Sequence, residues 1–113
     1  MKININAVHF RADKKLESFI TDKVEKLTVL FDGIVSSEVI LKVLNTDTPE
    51  NKIAEIRLEI RGNDLFAKKQ CKTFEEATDT ALEALRKQLV KYKEKLKLAK
   101  NQFLLSWYHN LGV

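Results

Sequence analysis

The chain has 113 residues and a mass of 13.1 kDa, which is the size of one domain. Its 44% hydrophobic content, with only three Gly and one Pro, excludes a disordered or linker-dominated chain. A single cysteine excludes an internal disulfide and a cysteine-rich zinc site. The opening MKININAVHF alternates polar and apolar residues, unlike a signal peptide, and no apolar run reaches the roughly 20 residues of a membrane span. We therefore expect a cytoplasmic protein without a membrane partner.

The net charge of +4 is concentrated in one stretch. Residues 1–85 carry 13 Lys and Arg against 15 Asp and Glu, whereas residues 86–100 carry seven Lys and Arg against one Glu. A local cluster of this kind on a slightly acidic body leaves two interpretations open, which are binding to a polyanion and a solvated, lysine-rich helix end.

The first elements are a strand and a capped helix. Residues 2–9 alternate in the manner of a strand. Asp13 stands where a helix N-cap is expected, and apolar residues then recur every three or four positions to about Phe31. We expect Asp32-Gly33 to end this helix, with Gly33 as a left-handed cap.

Three strands follow, separated by turn-forming residues. Residues 35–44 are rich in β-branched and aliphatic side chains, and residues 52–61 alternate cleanly between apolar and charged ones. Residues 65–72 form a weaker alternating strand. The intervening segments contain Asn, Asp, Pro and Gly, which are typical of turns.

A long second helix closes the sequence. Thr73 and Glu76 have the spacing of a capping box, and an apolar stripe continues to about residue 100. The order β-α-β-β-β-α predicts an α+β fold in which two helices pack on one face of a four-stranded sheet. The predicted core contains Leu16, Ile20, Leu27, Ile56, Leu58, Leu85 and Leu89.

Nothing in the sequence indicates an enzyme. His9 and His109 lie in no recognised catalytic spacing, and the glycine-rich loops that bind nucleotide phosphates are absent. We read His9 and Cys71 as ordinary structural residues. We expect no catalytic residue, cofactor, metal or small-molecule substrate, and an enzyme would instead need a deep pocket with convergent polar groups.

The basic stretch forms two rows on the second helix. At 100° per residue, one row on the outer face contains Lys87, Lys91 and Lys95. The other row, beside the apolar stripe, contains Arg86, Lys93, Lys97 and Lys100. Lys23 falls close to the apolar direction of the first helix, so we expect it to extend into a groove between the helices. The candidate RNA-binding residues are Lys23, Lys26, Arg86, Lys87, Lys91, Lys93, Lys95 and Lys97.

Phosphate binding needs cations at backbone spacing. The only aromatic residue within the basic run is Tyr92, which lies on the core stripe. A stacking platform for single-stranded bases is therefore not indicated, and structured RNA recognised by shape and phosphate fits the pattern better. The remaining alternative is a solvated lysine-rich helix end.

The chain resembles the ribosome hibernation-promoting factor family, also called ribosome-associated inhibitor A or sigma-54 modulation proteins. The resemblance covers residues 1 to about 98 and rests on "DKVEKLTVLF" and "FEEATDTALEALRKQLVKYKEKLK". The family pattern is matched by Lys87, Gln88, Leu89, Lys91, Tyr92 and Lys93. Val90 departs from the pattern, since a basic residue is usual there.

This resemblance implies both a fold and a function. The fold is like that of a double-stranded-RNA-binding domain. The implied partner is the small ribosomal subunit with its rRNA, bound in the channel of mRNA and tRNA, so that translation stops in slow growth or stress. The chain resembles the short form of the family, which lacks a C-terminal dimerisation domain.

We expect residues 1–100 to form the ribosome-binding domain and residues 101–113 an apolar tail of unknown role. The tail contains Phe103, Leu104, Leu105, Trp107 and Tyr108. Packing on its own domain, docking to a partner and weak self-association all remain open. The alternative function is a non-enzymatic protein-interaction module that uses this tail, with the lysines as solubilising charge.

Overall fold

The computed structural model describes residues 2–31 and 33–110, with side chains up to Lys95 in the last helix. Its elements have the predicted order β-α-β-β-β-α. They are β1 (Lys2–Ala7), α1 (Lys14–Thr28), β2 (Ile34–Val43), β3 (Lys52–Ile60), β4 (Asn63–Cys71) and α2 (Phe74–Asn110). Among these residues no helix is both long enough and apolar enough to cross a membrane.

The four strands form one sheet in sequence order. β1 and β2 are parallel, because α1 carries the chain back between them, while β3 is antiparallel to both β2 and β4. Ile60 pairs with Asn63, which leaves a two-residue turn. Gly62 in this turn has φ of 85°, a left-handed conformation that glycine adopts without steric cost.

The core lies between the sheet and the two helices. Every one of the seven predicted core residues is at most 8% exposed. Alternation along β3 buries Ile56 and Leu58 and exposes Arg57 and Glu59, so the helices cover one sheet face and leave the other polar. The predicted arrangement of two helices on a single face is confirmed.

Both predicted N-caps are present. The backbone N–H of Leu16 donates to Asp13 Oδ1 at 2.7 Å, and that of Glu76 donates to Thr73 Oγ1 at 3.1 Å. Each side chain satisfies a backbone donor that has no partner within its helix.

The predicted end of α1 was wrong. The helix ends at Thr28, with Val29 as a right-handed C-cap at φ −63°, and not at Phe31. The hydroxyl of Thr28 donates to the Glu25 carbonyl at 2.6 Å, and β-branched residues are weak helix formers. Gly33 therefore does not cap α1. A Cβ there would lie 2.5 Å from a ring carbon of Phe31, so glycine leaves room for that ring.

α2 is longer than predicted. It runs to Asn110, because no Gly or Pro interrupts the sequence between Phe74 and Asn110. The side chains of residues 96–110 and all of residues 111–113 lie outside the described part of the chain, as does Asp32. The predictions about Lys97 and about the apolar tail fall on these positions and stay predictions.

Thr78 provides a test of the core. Its side chain is completely buried, and its hydroxyl has no hydrogen-bond partner among the described residues. A buried unsatisfied hydroxyl costs about 1–3 kcal/mol. Thr78→Val should therefore raise the free energy of unfolding by about 1 kcal/mol in urea denaturation.

Thr80→Val is the matched control, because the exposed Thr80 hydroxyl already donates to the Glu76 carbonyl at 2.8 Å. This variant should be no more stable than the parent chain. A loss of stability in Thr78→Val would show that the hydroxyl is satisfied in solution.

Candidate nucleic-acid interface

α1 and α2 run side by side in the same direction and enclose a groove. Lys23 near the middle of α1 lies opposite Asp79, and Leu30 just after α1 lies opposite Lys93. The groove has a volume of about 310 Å³. Its lining consists of Lys23, Lys26, Leu27, Leu30, Asp79, Leu82, Glu83 and Arg86.

Three candidate RNA-binding residues lie together in this groove: Lys23, Lys26 and Arg86. The ammonium of Lys23 is 3.6 Å from Asp79 Oδ1 and 5.5 Å from the centroid of the Phe19 ring. Lys23 thus extends along apolar surface into the groove, as its position on the helix predicts.

The groove also contains two carboxylates that the sequence analysis missed. Arg86 donates to Glu83 twice, from Nε to Oε2 at 3.1 Å and from Nη2 to Oε1 at 2.6 Å. These hydrogen bonds lower the pKa of Glu83 below its ordinary value. The groove therefore combines three basic side chains with two acidic ones.

One of these pairs had a signal in the sequence. Glu83 and Arg86 are three residues apart, a spacing at which opposite charges meet on a helix. The approach of Asp79 to Lys23 depends instead on the parallel packing of the two helices, which the sequence pattern does not specify.

Three further candidates form a row on the exposed side of α2. Lys87, Lys91 and Lys95 are exposed and repeat about every 6 Å along the helix axis. Among the described side chains, none of the three has a carboxylate within salt-bridge distance. This lysine row lies outside the groove and carries cations available to a ligand.

Lys93 has a structural contact. Its ammonium donates to the carbonyl of Leu30 at 2.7 Å. The neighbouring Tyr92 donates to the carbonyl of Arg61 at 3.2 Å and meets Phe31 edge-on at 5.6 Å between ring centroids. These contacts hold the segment after α1, and the turn between β3 and β4, against α2.

The fold and the lysine row define a small α+β protein whose second helix presents cations suited to a polyanion. The family model described as "Sigma 54 modulation protein / S30EA ribosomal protein" matches residues 3–97. The chain belongs to this family.

Curated relatives and solved structures agree with the assignment. The chain is 30% identical over 97 residues to the "Ribosome hibernation promoting factor" of Klebsiella oxytoca, and likewise to that of Escherichia coli. Each alignment covers 86% of this chain and 98% of the relative.

Two comparisons with solved structures show the same fold. A ribosomal subunit interface protein from Coxiella burnetii matches with a TM-score of 0.74 at 19% identity, over 83% of this chain and 99% of that one. The N-terminal domain of Thermus thermophilus Protein Y matches with a TM-score of 0.71 at 18% identity, over 81% and 99% of the two chains.

The contact of Lys93 is testable by stability. Lys93→Met keeps an apolar stem but removes the donor to the Leu30 carbonyl, so it should lower the free energy of unfolding by about 1 kcal/mol in urea. Lys91→Met removes a cation from the lysine row and should leave stability within about 0.5 kcal/mol. Equal stability of the two variants would contradict a structural role for Lys93.

Proposed function

We propose that this protein is a non-enzymatic ribosome hibernation factor, which binds the small ribosomal subunit and inhibits translation. Family membership over residues 3–97 and relatives named ribosome hibernation promoting factor support this function. The fold of a ribosomal subunit interface protein is consistent with it.

The binding surface we propose is the exposed side of α2 together with the adjacent groove. Lys87, Lys91 and Lys95 would follow an rRNA backbone, because a row of cations at regular spacing can pair with successive phosphates. Lys23, Lys26 and Arg86 would contact phosphates at the groove, and Lys97 would extend the cationic surface. For Lys93 we propose an indirect role, since its ammonium is engaged with the Leu30 carbonyl.

Recognition would depend on shape and backbone more than on stacking. The two aromatic residues described on α2, Phe74 and Tyr92, both pack against the core. No aromatic platform for unstacked bases is therefore available on the described part of this helix. A folded rRNA surface, whose phosphates are held in place, is the ligand that a regularly spaced row of cations suits best.

Inhibition would follow from occupancy of the channel used by mRNA and tRNA. A folded domain bound there excludes both ligands without chemistry, and the channel is open to them again when the domain dissociates. The observation that carries the proposal is the exposed lysine row on a chain of this family.

The lysine row gives the main test. Replacing Lys87, Lys91 and Lys95 with Gln keeps helix propensity nearly constant and removes like-charge repulsion. The melting temperature should stay the same or rise, while small-subunit binding and inhibition of in vitro translation are lost at physiological salt. The slope of log K against log salt should shrink by about 0.7–0.9 for each phosphate contact removed.

A triple variant of equal charge is the control. Lys68, Lys69 and Lys72 are exposed on and just after β4, and replacing them with Gln should leave binding to the subunit largely intact. If both triple variants bind equally, the lysine row is only a solvated surface. Salt-independent binding by the parent chain would favour the protein-interaction module.

Val90 offers a gain-of-function test. It is 43% exposed at the position where the family resemblance implies a basic residue. Val90→Lys should tighten small-subunit binding and steepen the salt slope by about 0.7–0.9 if one phosphate contact is added. Val35→Lys, at an exposed position on β2, adds the same charge and should change neither quantity, whereas equal gains would indicate a nonspecific effect of net charge.

A further inference from the structure

The groove between α1 and α2 differs in charge from the lysine row beside it. Asp79 and Glu83 line it together with the three cations, and each carboxylate is paired, with Lys23 at 3.6 Å and with Arg86 at 2.6 Å. Two carboxylates would weaken a surface that binds only phosphate, because they repel the phosphate and compete with it for the cations of the groove.

Both carboxylates are accessible to a ligand. The side chains of Asp79 and Glu83 are 51% and 50% exposed. Neither carboxylate is buried beneath the cation that it pairs with. The two hydrogen bonds from Arg86 to Glu83 occupy donors that a phosphate would otherwise use. A ligand that enters the groove therefore meets acceptors as well as donors.

A ribonucleotide has the matching chemistry. Its phosphate accepts hydrogen bonds, whereas its ribose 2′-hydroxyl, close to the phosphate on the same backbone, can donate one. In the groove a cation and a carboxylate are likewise in direct contact. When a ribonucleotide binds, the cation can donate to the phosphate while the carboxylate accepts from the 2′-hydroxyl, so that both charged groups keep a partner.

We propose that Asp79 and Glu83 are specificity-determining residues, which accept hydrogen bonds from ribose 2′-hydroxyl groups and so select RNA over polyanions without such a donor. The proposal builds on the RNA partner of the proposed function. It adds that the lysine row supplies backbone affinity while the groove supplies the preference for ribose. A polyanion without the donor meets the repulsion of the two carboxylates with no hydrogen bond to offset it.

The test uses two RNA duplexes of the same sequence, about 20 base pairs long, one unmodified and one 2′-O-methylated. Methylation removes the donor but preserves the phosphate charges. At about 50 mM salt, where nonspecific binding is strong, the full-length protein should prefer the unmodified duplex by about two- to five-fold. This is the effect of an exposed charged interaction.

The variant Asp79→Asn/Glu83→Gln should lose that preference, and its affinity for the methylated duplex should rise by about two- to five-fold. The double variant Glu38→Gln/Glu59→Gln removes two exposed carboxylates from the open sheet face, as their positions on β2 and β3 place them. It should keep the preference of the parent chain. Circular dichroism should show the same melting temperature for parent and groove variant within about 3 °C, since all the replaced groups are exposed.

Equal affinity of the parent chain for the two duplexes would overturn the inference, as would a preference that survives in the groove variant. Absence of measurable binding to either duplex would also contradict it. These outcomes are separate from the proposed function. A chain that prefers unmodified RNA but does not bind small subunits would overturn the proposed function and leave the role of Asp79 and Glu83 in place.

Discussion

The burial of the apolar stripe of α2 determines how the rest of the molecule presents its charge. Leu85 and Leu89 are completely buried, and this burial fixes the orientation of α2 about its own axis. Fixed helical geometry then places Lys87 and Lys91 on the opposite side, away from the core. The same packing that stabilises the domain thus exposes the lysine row of α2 to solvent.

The parallel packing of α1 against α2 adds a second surface to the first. Lys93 and Tyr92 tie the segment after α1 and the β3–β4 turn to α2. The groove and the lysine row lie on adjoining sides of α2 but differ in charge pattern. One combines cations with carboxylates, and the other presents lysines that have no carboxylate partner among the described side chains.

Much of the fold could be predicted because its signals are local. Asp13 and Thr73 have the chemistry of caps, and the alternation around Ile56 can only belong to a half-buried strand. The end of α1 was missed because the Thr28 hydroxyl donates to a backbone carbonyl at the end of the helix. The spacing of apolar residues gives no indication of such a hydrogen bond.

The charge pattern of the candidate interface was predictable only in part. Lysine spacing placed the lysine row correctly on an exposed face. The contacts of Asp79 with Lys23 and of Lys93 with Leu30 join residues 56 and 63 positions apart in sequence. Such pairs depend on how two helices pack, so a pattern within either helix carries no information about them.

Site-specific crosslinking to the small subunit tests whether the lysine row of α2 faces rRNA. A photoreactive amino acid at position 91 lies in the lysine row, and one at position 38 lies on the open sheet face. We expect crosslinks to small-subunit rRNA from position 91 and none from position 38. Crosslinks to rRNA from position 38 alone would show that the sheet, and not the helices, faces the ribosome.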